Sequence, residues 1–230
     1  MKLQDAVVLI TGANRGIGLA FAEVALARGA RKVYAGARSP SSITTPGVVP
    51  VKLDVTSDQD VADAARICAD VTLVVNNAGI GRAGGLLKPE ASEAARAQFD
   101  TNVFGMLRMM QVFSPVLAKN GGGAFLNVLS VASWINSGAM TAYAASKAAA
   151  WSLTNGLRNE LRSQGTQVLG LHVGFVDTDL ARGLDVVKVS PRSVATSAFD
   201  GLEAGASEVL ADERARMVKH GLTAEPAIYL

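Results

Sequence analysis

Short apolar runs rich in Val, Leu and Ile alternate along the chain with longer Ala-rich stretches. The runs Ala6–Thr11, Lys32–Ala37, Val48–Leu53, Val71–Asn76, Ala124–Ser130, Gln167–Val173 and Glu208–Ala211 read as strands, most of them apolar enough to be buried on both faces. Most segments between them are long enough for a crossover helix. Leu19–Ala27 closes at Gly29, 92–118 is long and apolar, an Ala-rich helix carries Tyr143, another is capped by Ser190-Pro191, and Glu213–His220 is short. This alternation predicts an α/β protein with a doubly wound parallel sheet of about seven strands and helices on both faces. Two prolines and no apolar period between Arg38 and Val48 leave that crossover as a single turn or a loop. No linker, low-complexity tract or repeat interrupts the chain, so the reading is one domain, 1–230.

Three stretches carry candidate chemistry. The first predicted strand runs into Thr11-Gly12-Ala13-Asn14-Arg15-Gly16-Ile17-Gly18, and a helix follows. Glycines let the backbone turn sharply and approach a pyrophosphate, and the helix N-terminus then faces the phosphates. The second predicted strand ends Ala37-Arg38-Ser39, where a fold that prefers NAD carries an acid for the ribose hydroxyls. No carboxylate is there to repel a 2′-phosphate. Arg38 and Arg15 can pair with one and Ser39 can donate a hydrogen bond, so the cofactor predicted is NADP(H).

The third stretch holds Ser130 at the end of a predicted strand, Tyr143, and Lys147 one helical turn beyond it. The carboxyl edge of an open parallel sheet is where ligands bind, so a hydroxyl, a phenol and an ammonium can converge there. A free tyrosine titrates near ~10, too high for a base at neutral pH, and a cation one turn away favours the phenolate. A shift of about three pH units takes roughly 4 kcal/mol, which Lys147 and a positively charged nicotinamide can supply together. Taken alone, Tyr-x-x-x-Lys also fits an ordinary amphipathic helix.

These motifs, in this order, make the chain resemble the short-chain dehydrogenase/reductase family, of the smaller single-domain kind with a Rossmann fold. The resemblance rests on 11–18, Leu53-Asp54-Val55, Asn76-Asn77-Ala78-Gly79, Asn102, Ser130, Tyr143 and Lys147. It implies a catalytic tetrad of Asn102, Ser130, Tyr143 and Lys147, with Asn102 holding a water in a proton relay and Lys147 gripping the nicotinamide ribose. It also implies a cofactor groove built from Gly12, Asn14, Arg15, Gly16, Ile17, Gly18, Arg38, Ser39, Asp54, Val55, Asn76, Asn77, Ala78, Gly79, Tyr143, Lys147, Gly174, Val176 and Thr178. Val173 stands where the family usually has Pro, which loosens the entry to a short substrate lid at about 178–190. Substrate contacts are expected from Ser130, Trp134, Tyr143 and Phe175. The function implied is NADPH-dependent carbonyl reduction or alcohol oxidation on a small molecule. A lyase on the same fold, or a non-catalytic NADP-binding scaffold or sensor, are the alternatives. Intact Gly12, Gly16, Gly18 and Lys147 weigh against the lyase, and the complete tetrad against the scaffold.

Composition narrows the field. With 49% hydrophobic and 18% charged residues the chain can build a sizeable core. A net charge of +2 without a basic run argues against nucleic acid as a partner. The start, MKLQDAVVLITG, reads as no signal peptide and no window approaches a membrane span, so a cytoplasmic protein is expected. The single Cys68 reads as a buried structural thiol, and His172 as a core histidine. No cluster has metal-ligand spacing. The Met- and Phe-rich helix at 92–118 and the helix of Tyr143 carry more apolar surface than a core stripe needs, which predicts a homodimer or homotetramer.

Overall fold

The computed structural model describes residues 1–136 and 138–229. Seven parallel strands form one sheet in the order β3-β2-β1-β4-β5-β6-β7: β1 Val7–Thr11, β2 Lys32–Ala37, β3 Val49–Lys52, β4 Leu73–Asn76, β5 Ala124–Val128, β6 Gln167–His172 and β7 Glu208–Leu210. The order reverses between β1 and β4, and the crevice at that switch point is where an open parallel sheet takes a ligand. Both faces are covered. Helices α1 (Gly16–Ala27) and α6 (Pro191–Glu203) pack on one side, their contact centred on Phe21 edge-on against Phe199 at 5.2 Å. Helices α2 (Asp58–Ile67), α4 (Met106–Lys119) and α5 (Thr141–Glu160) cover the other with Met109, Phe113 and Leu117, all fully buried. Each such side chain contributes about 1.5–3 kcal/mol by leaving water.

Local signals start the helices as the sequence suggests. Ser57, Ser190 and Asp212 cap α2, α6 and α7 (Glu213–Gly221) by accepting from Asp60, Ser193 and Ala215 backbone N–H groups. The crossover after β2 is a single 3-10 turn, Pro40–Ser42.

Two elements differ from the sequence reading. Strand β5 stops at Val128, and Ser130 instead caps the 3-10 turn Val131–Ser133. The long helix at 92–118 is three pieces: α3 (Ala91–Phe99), a π-helical turn at Asp100–Gly105, and α4. Hydrophobic period does not register the extra residue that a π-turn absorbs. The turn brings Gly105 so close to Val55 that a Cβ there would lie 2.7 Å from its Cγ2.

Candidate active site

The glycine loop lies at the switch point and is tied to the end of β4. Thr11 Oγ1 accepts from the Asn77 and Ala78 N–H groups at 3.0 and 2.9 Å, and Asn77 Nδ2 donates to the Thr11 carbonyl at 2.9 Å. Gly12 and Gly16 have φ of 64° and 56°, a region that side chains disfavour. A Cβ on Gly18 would sit 2.1 Å from the Gly12 carbonyl oxygen. These contacts hold the loop tight against the first turn of α1.

The loop forms one wall of a groove of about 620 Å³ that Gly12, Asn14, Arg15, Gly16, Ile17, Arg38, Asp54, Val55, Asn77, Ala78, Gly79 and Thr178 all line. Arg38 makes no ion pair among the described residues, whereas Arg15 spans to Asp179 at 2.7 Å and Asp179 also takes Arg182. Asp54 accepts from Thr56, through both its N–H and its hydroxyl. A dinucleotide fits the shape and charge of this groove: close-approach glycines, N–H groups at the start of α1, and a guanidinium where an acid would repel a phosphate.

Other expected groove residues lie elsewhere. Gly18 packs beneath the loop. Ser39 caps the 3-10 turn and shares a hydrogen bond with Ser41. Asn76 is buried and donates to Asn127. Gly174 gives its N–H to Asp212 and abuts Arg214, and buried Val176 bridges to Val189. These five do not line the groove.

Ser130, Tyr143 and Lys147 gather at the end of β5. The Ser130 hydroxyl accepts from Ala132 N–H at 3.1 Å. Lys147 is buried, and its ammonium donates to the Val128 carbonyl at 2.9 Å, 5.8 Å from the centre of the Tyr143 ring. Burial pushes the Lys147 pKa down to about 8. It also holds the half-buried Tyr143 above the ordinary phenol value, with the Ser130 hydroxyl pulling the other way. The sequence reading had Lys147 lowering Tyr143. The structure reverses the sign for the protein by itself, because desolvation acts on both groups and the ammonium is spent on a backbone carbonyl.

Asn102 sits in the π-turn, buried. Its amide accepts from Ile80 N–H and donates to the Ile80 carbonyl, each at 2.8 Å, and donates to Ser146 Oγ at 2.9 Å. Ser146 in turn donates to the Tyr143 carbonyl at 2.7 Å. Asn102 thereby ties the loop after β4 to the first turns of α5. Ser146, which the sequence reading passed over, is the link; nothing in its sequence context marks it.

On the open side of Tyr143, Gly81 faces Leu180, Met140 and the Tyr143 ring edge, so close that a Cβ would lie 3.0, 3.2 and 3.3 Å from them. Two expected substrate contacts lie otherwise. Trp134 stacks on His172 with ring centres 3.8 Å apart, and Phe175 lies under the Arg214 guanidinium at 4.8 Å. The 3-10 turn after Ser130 carries Trp134 into the small cluster beneath α7.

A parallel sheet with a glycine loop at its switch point, and a Ser, a Tyr and a Lys gathered beside it, defines a dinucleotide-dependent oxidoreductase. The family model described as short chain dehydrogenase matches residues 6–186, and the chain belongs to that family. It is 30% identical over 194 residues to a 3-oxoacyl-[acyl-carrier-protein] reductase of Vibrio harveyi, covering 80% of this chain and 79% of that one. It is 29% identical to an uncharacterized oxidoreductase of Staphylococcus saprophyticus, over 88% of this chain and 93% of the other. A short chain dehydrogenase of Burkholderia cenocepacia, solved in complex with NADP, superposes with a TM-score of 0.94 at 40% identity, covering 98% of this chain and 96% of that one.

Proposed function

We propose that the protein is an NADP(H)-dependent carbonyl reductase and alcohol dehydrogenase, one domain whose segment 178–190 serves as a short substrate lid. The observation that carries this is the half-buried phenol of Tyr143 beside the Ser130 hydroxyl, one turn from the buried Lys147 ammonium. Arg38 on the groove wall, next to Ala37, favours a 2′-phosphate, and a relative 40% identical was solved with NADP. When bound, the reduced nicotinamide supplies the hydride to the carbonyl carbon.

The residues of the chain handle the proton. A Tyr143 pKa above the ordinary value keeps the phenol protonated at neutral pH, the form that a general acid for reduction needs. Tyr143 gives that proton to the carbonyl oxygen while Ser130 hydrogen-bonds the same oxygen. Lys147 stabilises the phenolate left behind and holds the ribose, and Asn102 fixes the loop that faces it. Alcohol oxidation reverses these roles. The surroundings of Tyr143, with Ile80, Met140 and Leu180, are apolar, so neutral aryl or aliphatic ketones and aldehydes are the substrates proposed. We place the enzyme in the cytoplasm as a homodimer or homotetramer paired through α4 and α5.

The test is NADPH consumption with a panel of ketones, for wild type and Tyr143→Phe. The variant should bind NADPH and lose about 10²–10⁴-fold in kcat. Retention of more than about a tenth of wild-type kcat rejects the acid–base role. A lyase or a non-catalytic scaffold would consume no NADPH with any ketone.

A further inference from the structure

Ser130 is fixed from both ends. Its hydroxyl accepts from Ala132, and its carbonyl faces Nδ1 of the fully buried His172 at 3.1 Å. The residues on either side of Ser130 are held by β6 and the turn beyond it, through Leu129 N–H to the Leu171 carbonyl and Val131 N–H to the Val173 carbonyl. The Val128 carbonyl takes Lys147. Side chains, Lys147 and His172, therefore cap the two carbonyls that flank Leu129.

A carbonyl oxygen carries no hydrogen, so the contact to His172 is attractive only when Nδ1 holds the proton. A neutral ring has one N–H, which leaves Nε2 as a bare lone pair. Nε2 is indeed buried without a hydrogen-bond partner among the described residues, and Glu208, 3.5 Å away, already accepts from Lys219 at 3.0 Å. The charged groups around the ring are Glu208, Lys219 and Lys147, and burial outweighs them, pushing the His172 pKa down to about 4. The imidazole stays neutral through the working pH range.

The ring is also clamped. Trp134 stacks on it at an interplanar angle of 18°, Trp151 meets it edge-on at 6.5 Å, and the Lys219 ammonium lies 4.6 Å from the Trp134 ring centre. Trp134 follows Ser130 through the Val131–Ser133 turn, so Ser130, His172 and Trp134 close a small ring of contacts behind the site.

We propose that His172 is a positioning residue for Ser130: its Nδ1–H anchors the Ser130 carbonyl and so aims the hydroxyl at Tyr143. The inference rests on the catalytic reading given above. His172 is fully buried behind the Ser130 backbone and does not line the groove.

His172→Phe keeps an aromatic ring on Trp134 and removes the donor. His172→Asn places an amide N–H near the position of Nδ1 and gives up the stack. Anchoring predicts that the Phe variant loses about tenfold or more in kcat for ketone reduction with its Kd for NADPH unchanged, and that the rise of alcohol oxidation with pH moves upward. The Asn variant should recover most of the kcat in spite of a lower Tm. The reverse order, Phe near wild type and Asn impaired in step with its Tm, overturns the proposal and assigns His172 to packing alone. Ser130→Ala separates the two claims. If it keeps wild-type kcat, the catalytic reading fails; if it loses kcat while His172→Phe does not, only the anchoring fails. Should either His172 variant not fold, nitrogen-15 NMR of the wild-type NADPH complex decides the matter. A neutral His172 protonated at Nδ1 is expected, and protonation at Nε2 would overturn the proposal.

Discussion

Lys147 should make the stability of this protein rise with pH on the alkaline side, and the size of the effect follows from its burial. Its pKa falls from 10.5 to about 8 on folding. For a base with a lowered folded value, the unfolded chain holds the proton more tightly. The fold therefore carries the cost of a buried charge below about pH 8 and is relieved of it as pH rises toward 10.5. The whole displacement is worth about 3 kcal/mol, of which roughly 2 kcal/mol is recovered between about pH 7 and about pH 9.5. Lys147→Met keeps the stem and removes the charge. It strands the Val128 carbonyl at a cost of about 1–3 kcal/mol, but that cost does not vary with pH. Urea unfolding of both proteins at the two pH values gives the measurement. Cys68, whose thiol burial pushes up to about 12, and Tyr143 belong to both chains, so their effects largely cancel in the comparison. Wild type should gain about 2 kcal/mol on the variant over that interval. A difference constant to within about 0.5 kcal/mol would falsify the buried-ammonium argument.

Three further outcomes are expected. Wild type should favour NADPH over NADH in kcat/KM by at least ~10-fold, and Arg38→Glu should reduce or invert that ratio; equal values in wild type would show that the groove does not read the 2′-phosphate. Gly81→Ala should cost bulky ketones ~10-fold or more in kcat/KM relative to a small aldehyde, since lost pocket space of one methyl is worth about 10–200-fold, and equal losses on both substrates would place Gly81 outside the pocket. Light scattering at micromolar concentration should show a dimer or tetramer; a monomer would mean that Leu107, Val112, Val116, Leu153 and Leu157, only partly buried here, stay in contact with water.

The sheet was readable because its strands are covered on both faces, so runs such as Val7–Ile10 carry no polar residue. The groove was readable because glycines at 12, 16 and 18 answer a backbone requirement that no other residue meets. What stayed hidden depends on partners far away in sequence. Asp179 as the partner of Arg15, and His172 as the partner of Trp134, lie in contacts that no local spacing announces. A large aromatic just after Ser130 reads as a pocket wall, yet the turn at Val131–Ser133 carries it behind the site. In the protein by itself the Tyr143 pKa lies above its ordinary value for a related reason: residue types name the neighbouring cation, but only the fold says how much water is taken from both groups.

The π-turn at Asp100–Gly105 constrains how this chain can vary in length. Each residue of an α-helix rotates the chain by about 100°, and a π-turn absorbs one residue more than a regular turn. The surplus residue lets Gln98 and Asn102 reach the loop at Ile80 and Arg82 while Met106, Met109 and Phe113 keep facing the sheet. Deleting any single residue from 100 to 105 would heal the helix into an ordinary one. The two halves would keep their phase, because the widened turn is what takes up the surplus residue, but the bulge that presents Asn102 to Ile80 and Ser146 would be lost, and with it the tether of the loop beside Tyr143. The exposed loop at 82–90 has no such bulge to keep. In a library of one-residue deletions, survivors should accumulate in that loop and be missing from the segment that looks, from its composition, like plain helix.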